Sequence, residues 1–261
     1  MAVETYPDQL EPENQDAVIW RFMNLEKFRD LMNTGELYFC RADRFHDNDD
    51  REGLPPEEYL PKPGLNSLDV RDRQELDHAI GSVAQFREGF YISCWHLFRD
   101  ETCEMWKQYG DGGVAVCSRY RLLKSALDGI GDRAYLGLVR YGSDHLRGWN
   151  VLRFIFTKRT EFAHEREVRA LLWITDPLAG INRHFDSDNR AHSRPLTPPP
   201  PDRVLDGHRR RVDLQGLVTG IVFTPWVSST TLDQGNQLVR NNGYAIPVRI
   251  SELTRYRAFL L

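Results

Sequence analysis

An α+β fold is predicted, with a mixed, mainly antiparallel sheet and helices packed against it. Three observations predict it. Strand-like runs outnumber helical ones, their spacing lacks the regular alternation of a doubly wound parallel sheet, and no internal repeat divides the chain. The 261 residues, 41% of them hydrophobic, can bury a sizeable core without a disulfide or metal staple. The expected organisation is a flexible N-terminal arm over 1–16, rich in acids and proline, followed by a single domain over 17–261.

The elements follow in order. Val18-Ile19-Trp20-Arg21-Phe22 reads as a first strand. Asn24 can cap a helix in which Leu25, Phe28, Leu31 and Met32 recur at helical spacing, and Gly35 ends it. Glu36 to Cys40 is a second strand, so the chain opens β-α-β. Residues 41–67, rich in Asp, Pro and Gly, read as a long loop, and an amphipathic helix is expected over 69–88. Phe90 to Trp95 reads as a buried strand, Glu101 to Tyr109 as a helix and Val114 to Cys117 as a strand. A helix over 119–128 and a strand from Tyr135 to Tyr141 follow. Residues 150–164 are helical or irregular, ahead of a strand from Glu167 to Ile174. The proline-rich span 176–211 reads as an excursion with little internal structure. A strand at 217–224, a helix near 231–241 and a strand at 244–250 close the chain.

Composition narrows the function classes. The net charge is -4, so nothing overall demands a nucleic-acid or acidic-lipid partner, although Arg209, Arg210 and Arg211 form a local basic run. Four scattered cysteines, without CxxC or zinc spacing, read as reduced thiols, and no metal is expected. The N-terminus lacks the basic start and apolar stretch of a signal peptide, and no run approaches a membrane span. The cytoplasm is the expected location, with no membrane partner.

Several motifs fail in context. Gly129-Ile130-Gly131 lies between a helix and a strand, the reverse of a dinucleotide fingerprint. Asp47-Asn48-Asp49-Asp50 begins like a calcium loop, but Arg51 and Glu52 stand where a ligand and glycine are needed. Three segments carry better candidates. Arg21 lies between two aromatics and needs an anionic partner if it points inward. Tyr91, Ser93 and Trp95 share one strand face, suited to a flat ring such as nicotinamide or a base. Glu165, Glu167 and Arg169 share a face if extended, and paired carboxylates there can divide labour between a cationic sugar and an acceptor. Each has a plain structural counterpart: an outward arginine, a core strand, and an exposed edge of alternating charge.

Taken together, the motifs resemble the bacterial family known as domain of unknown function 2971. The resemblance rests on Ile19-Trp20-Arg21-Phe22 through Leu37-Tyr38-Phe39, a degenerate Phe45-His46-Asp47-Asn48-Asp49-Asp50, and Ile92-Ser93-Cys94-Trp95 with Met105-Trp106 to Tyr109. Lys158, Phe162, Glu165, Glu167 and Arg169 continue it, and Ile221 to Pro225 end it. Family membership implies no established activity. The order of arginine, serine with aromatic, then ExE also resembles the ADP-ribosyltransferase plan. That resemblance implies an NAD-using transferase or glycohydrolase in a defence or toxin-type role, with NAD as substrate and a nucleic acid or protein as acceptor. Arg21 would hold the pyrophosphate or ribose side of NAD, and Tyr91, Ser93 and Trp95 would shape the nicotinamide pocket. Glu167 would steady the oxocarbenium-like transition state and Glu165 would orient the acceptor. The plan requires Arg21, Ser93 and Glu167 to converge on one cleft. Two alternatives stand beside it. One is a nucleic-acid binder or metal-dependent nuclease, with the carboxylates of Asp47, Asp49 or Glu167 sharing a metal beside Lys158, Arg159 and the arginine run. The other is a non-catalytic interaction module.

Overall fold

The computed structural model describes residues 3–6, 8–45, 53–55, 87–110, 112–146, 150–174 and 206–256. The expected helix at 69–88, nearly all of it, the acidic loop at 47–52 and most of the proline-rich span lie outside them.

The α+β class is observed. The first strand, β1 (Val18–Met23), leads into helix α1 (Leu25–Thr34). Asn24 caps that helix by accepting from the Lys27 N–H. Gly35, at φ 68°, stops it in the left-handed conformation that a side chain would strain. Next come β2 (Glu36–Arg41), β3 (Phe90–Leu97), α2 (Cys103–Tyr109), β4 (Val114–Arg119) and α3 (Tyr120–Asp128). Then follow β5 (Ala134–Leu138), β6 (Arg140–Tyr141), α4 (Val151–Ile155), β7 (Thr157–Lys158) and β8 (Glu167–Trp173). The last elements are β9 (Gly207–Arg211), α5 (Leu214–Leu217), β10 (Gly220–Phe223), α6 (Ser229–Asn241) and β11 (Val248–Ile250).

Nine of these strands form one sheet in the order β11-β10-β4-β1-β3-β2-β9, with β8 added to β3 and β5 to β8. Every pairing in it is antiparallel except β10 with β11. The opening β-α-β unit is therefore not a simple neighbouring pair: β1 and β2 take opposite ends of one edge of β3, so β3 pairs fully with neither. β1 meets it only at Ile19–Leu97 and Trp20–His96, and β2 only at Cys40–Ile92 and Arg41–Tyr91. Opposite Ser93 to Trp95 the two strands part, while β8 runs along the other edge of β3 from Phe90 to His96.

Alternation sorts side chains onto two faces. The main core lies on one, where Ile19, Met23, Tyr91, Trp95, Val168, Ala170 and Phe223 meet Phe28, Leu31, Leu123 and Val239 from the helices. The opposite face holds two smaller clusters. Trp20, Ala115 and Val222 pack on Trp106 of α2, and Phe90, Ile92 and Leu171 pack on Ile155 and Phe156.

Two expectations are corrected. The N-terminal arm is docked, not loose: Glu4 bridges to Tyr135 of β5, and Tyr6 is buried beside Phe156. The end of the proline-rich span is a strand, because Gly207 to Arg211 pairs along the whole of β2. Gly207 leaves room there for the Tyr38 side chain, since a Cβ would come within 2.3 Å of its hydroxyl and 2.4 Å of its ring.

Candidate functional site

The register of β3 on β8 sets His96 opposite Glu167 and Cys94 opposite Arg169, all on the face away from the main core. Three of the four, His96, Glu167 and Arg169, are buried, as are Lys158 and Glu165 nearby. Arg169 grips Glu167 with two bonds, Nε to Oε1 at 2.9 Å and Nη2 to Oε2 at 3.0 Å. Lys158 Nζ lies 2.7 Å from Glu165 Oε2 and 3.1 Å from Glu167 Oε2, so one ammonium serves both carboxylates. Tyr109 of α2 donates to the other oxygen of Glu165, and the Cys94 thiol donates to Glu167. His96 Nδ1 lies 3.0 Å from the Glu165 carbonyl. Between the glutamates, Arg166 takes a left-handed conformation at φ 44°, which costs a non-glycine residue energy and turns the chain into β8.

Two cations and two carboxylates make this cage neutral. Burial opposes ionisation of Glu167, but Arg169 and Lys158 outweigh it and hold the carboxyl well below its usual range. Burial lowers the affinity of His96 for a proton. Burial, then the neighbouring Glu165, pushes the Tyr109 phenol up.

Arg21 is different. Its strand position pairs with Val116, on the main-core face, and its guanidinium lies 6.0 Å from the centre of the Trp95 ring. One nitrogen, Nη2, donates to the Tyr38 carbonyl at 2.8 Å, reaching across from β1 to β2 where they part. Among the described residues no carboxylate pairs with it. Burial pulls its pKa down to about 10, so it stays charged at neutral pH. It nevertheless keeps some exposure. Phe22, Tyr38 and Cys94, on the side away from the main core, are each half-buried too.

The predicted constellation is thus divided. Arg21, Tyr91, Ser93 and Trp95 belong to the main-core face, and Glu165 and Glu167 to the opposite one. The convergence required by the ADP-ribosyltransferase plan is not met. Ser93, Trp95 and Tyr91 are buried core: Ser93 accepts the Trp95 indole N–H at 3.2 Å, and Tyr91 packs edge-on against His208. The strand's inward alternation seats all three among the core side chains. Sequence reasoning named Lys158 but not its shared position, and it missed Cys94, His96 and Tyr109. The signal for the first two was their i, i+2 spacing on β3.

The basic and acidic motives for a nucleic-acid enzyme are also changed. Arg209 pairs with Asp30, Arg210 with Asp132 and Arg159 with Glu161, and Lys158 lies within the cage. No cluster of metal-ligating side chains occurs among the described residues, and Asp47 and Asp49 lie outside them. No helix among the described residues is long and apolar enough to cross a membrane.

No family model, no curated protein and no solved structure matches the chain. The resemblances drawn from its motifs are carried by those motifs alone.

Proposed function

We propose that the chain binds a phosphate-bearing nucleotide, NAD being the first to test, through Arg21 at the parting of β1 and β2. One observation carries this reading: a desolvated guanidinium with a single hydrogen bond and no carboxylate partner among the described residues. An unpaired cation held away from water is costly, and proteins ordinarily supply an anion or leave a place for one. A guanidinium's planar fork suits phosphate, and it keeps its charge through the physiological range.

Binding is favoured over NAD cleavage. A carboxylate that steadies a ribosyl cation must face it, and Glu165 and Glu167 are committed to Lys158, Arg169 and Tyr109. Cleavage stands as a second reading for one reason. The Cys94 thiol bonds Glu167 and also acts electrostatically on Arg21, so the cage borders the parting.

Thermal melts with NAD, ADP, pyrophosphate and nicotinamide test the proposal. At a hundredfold excess over Kd a ligand stabilises by about 2.7 kcal/mol, which is roughly 5–10 °C for a chain of this size. The phosphate-bearing ligands should raise the melting temperature and nicotinamide should not. The shift should vanish in Arg21→Gln. No shift with any of them, at millimolar concentration, would remove the proposal. Nicotinamide release from NAD in the same samples would establish the second reading.

A further inference from the structure

The docked arm has a composition and a seat that point to a second ligand. Residues 3–16 hold five acids and no base. Four of those acids meet cations of the domain: Glu4 with Arg133, Asp8 with Arg153, Glu11 with Lys124, and Asp16 with Arg121. The cations come from α3, α4 and the segment before β5. One arm meets all four in chain order, and in this sense they form one track. In the same track the Tyr6 ring is inserted at 8% exposure, stacked on Phe156 at 4.8 Å and edge-on to Tyr135 at 6.4 Å.

A chain of spaced negative charges with a flat ring slotted between aromatics imitates single-stranded nucleic acid. Strand-binding surfaces combine a cationic groove for phosphates with aromatic platforms for bases. The track supplies both, and the arm fills both. A membrane surface fits less well, because the cations form a line and the ring sits in a slot, not in an apolar patch. The pairs are open enough to be exchanged: Arg121 and Asp16 are each 55% exposed, and Arg133 and Glu4 are 46% and 39% exposed. Salt screens such contacts, and single pairs hold weakly.

We infer that the acidic arm covers, in cis, a binding track for single-stranded nucleic acid. Displacement of the arm opens the track, so the arm sets the affinity. This site is separate from Arg21 and does not depend on the nucleotide reading.

The test neutralises the arm without removing it, in a variant carrying Glu4→Gln, Asp8→Asn, Glu11→Gln and Asp16→Asn. Tyr6 is retained. Fluorescence anisotropy with a labelled oligo-uridine strand should show at least tenfold tighter binding than the unaltered protein. The log–log salt slope should be about -3, from roughly -0.7 per single-strand phosphate contact over four contacts. Adding Arg121→Glu and Lys124→Glu to the neutralised arm should abolish the gain. If circular dichroism shows the fourfold variant unfolded, the pair Glu11→Gln and Asp16→Asn is used, with a smaller gain of the same sign expected. Equal affinity with and without the arm charges would overturn the inference. So would a gain toward phosphatidylserine vesicles without one toward RNA, or binding only of a peptide copy of residues 1–16.

Discussion

Two regions of one sheet treat buried charge in opposite ways. The cage around Glu167 holds two cations and two carboxylates within hydrogen-bond reach of one another, with Tyr109 and Cys94 completing the shell. Arg21 is one cation at the parting of two strands, with one carbonyl for company. The cage is closed by its own partners, whereas Arg21 has no carboxylate partner among the described residues. A cluster of acids and bases, then, looks like an active site in sequence but can be closed by its own partners. An isolated charge, which looks unremarkable in sequence, can be the one that needs something from outside.

The largest effect should come from opening the cage. Arg169→Ala leaves Glu167 buried with only Lys158 opposite it, and breaking a buried pair from one side costs about 3–5 kcal/mol. Urea titration should show the midpoint fall by a matching amount. A loss below 1 kcal/mol would mean that the cage relaxes into water and is not the closed unit its distances describe.

Acid should probe the same region through two groups. Glu167 binds a proton more weakly in the folded protein than in the unfolded chain. Its contribution to stability is therefore full above the unfolded value, about 4.3, and is lost as pH falls through the folded value. His96 is also depressed in the fold, so the unfolded imidazole takes its proton first, starting near pH 6.5. Stability should fall in two stages. Glu167→Gln should remove the lower stage and keep the upper one. Retention of both stages in that variant would assign the lower one to another carboxylate.

Ser93 sharpens the contrast between core and site. If it serves only to accept the Trp95 indole N–H, Ser93→Ala strands a buried donor and should cost about 1–3 kcal/mol. Nucleotide response should be unchanged. A change in ligand shift without a change in stability would return Ser93 to the binding set.

Much of this could be read before the structure, and the unreadable part has a physical reason. Asn24 and Gly35 mark the bounds of α1 because capping and left-handed turns are local chemistry. The two glutamates do meet one ammonium, but not along an extended strand: Glu165 ends a 3-10 turn, only Glu167 lies on β8, and the left-handed Arg166 joins them. What could not be read is which strand lies beside which. The sharing of one edge of β3 by β1 and β2, with β8 on the other, depends on pairings fifty to eighty-three residues apart, and their register decides that Arg21 and Glu167 leave opposite faces. The arm was misread for a related reason. Its acids look like a solvated tail until Arg121, Lys124, Arg133 and Arg153, more than a hundred residues away, are brought beneath it.

The smallest expected effect on stability is at Arg21, and it is the most informative. Arg21→Met removes a charge that lacks a carboxylate partner, and methionine can follow the same path past Trp95. One hydrogen bond to the Tyr38 carbonyl is lost, worth about 0.5–1.5 kcal/mol net, while the cost of holding an unpaired cation away from water disappears. The two nearly cancel, so unliganded stability should change by about 1 kcal/mol or less, in either direction. The nucleotide-dependent shift in melting temperature should be lost altogether. The contrasting outcome is a fall of several kcal/mol in the unliganded protein. That would show the guanidinium acting as a strut between β1 and β2, complete in itself like the cage, and the difference between the two regions would collapse.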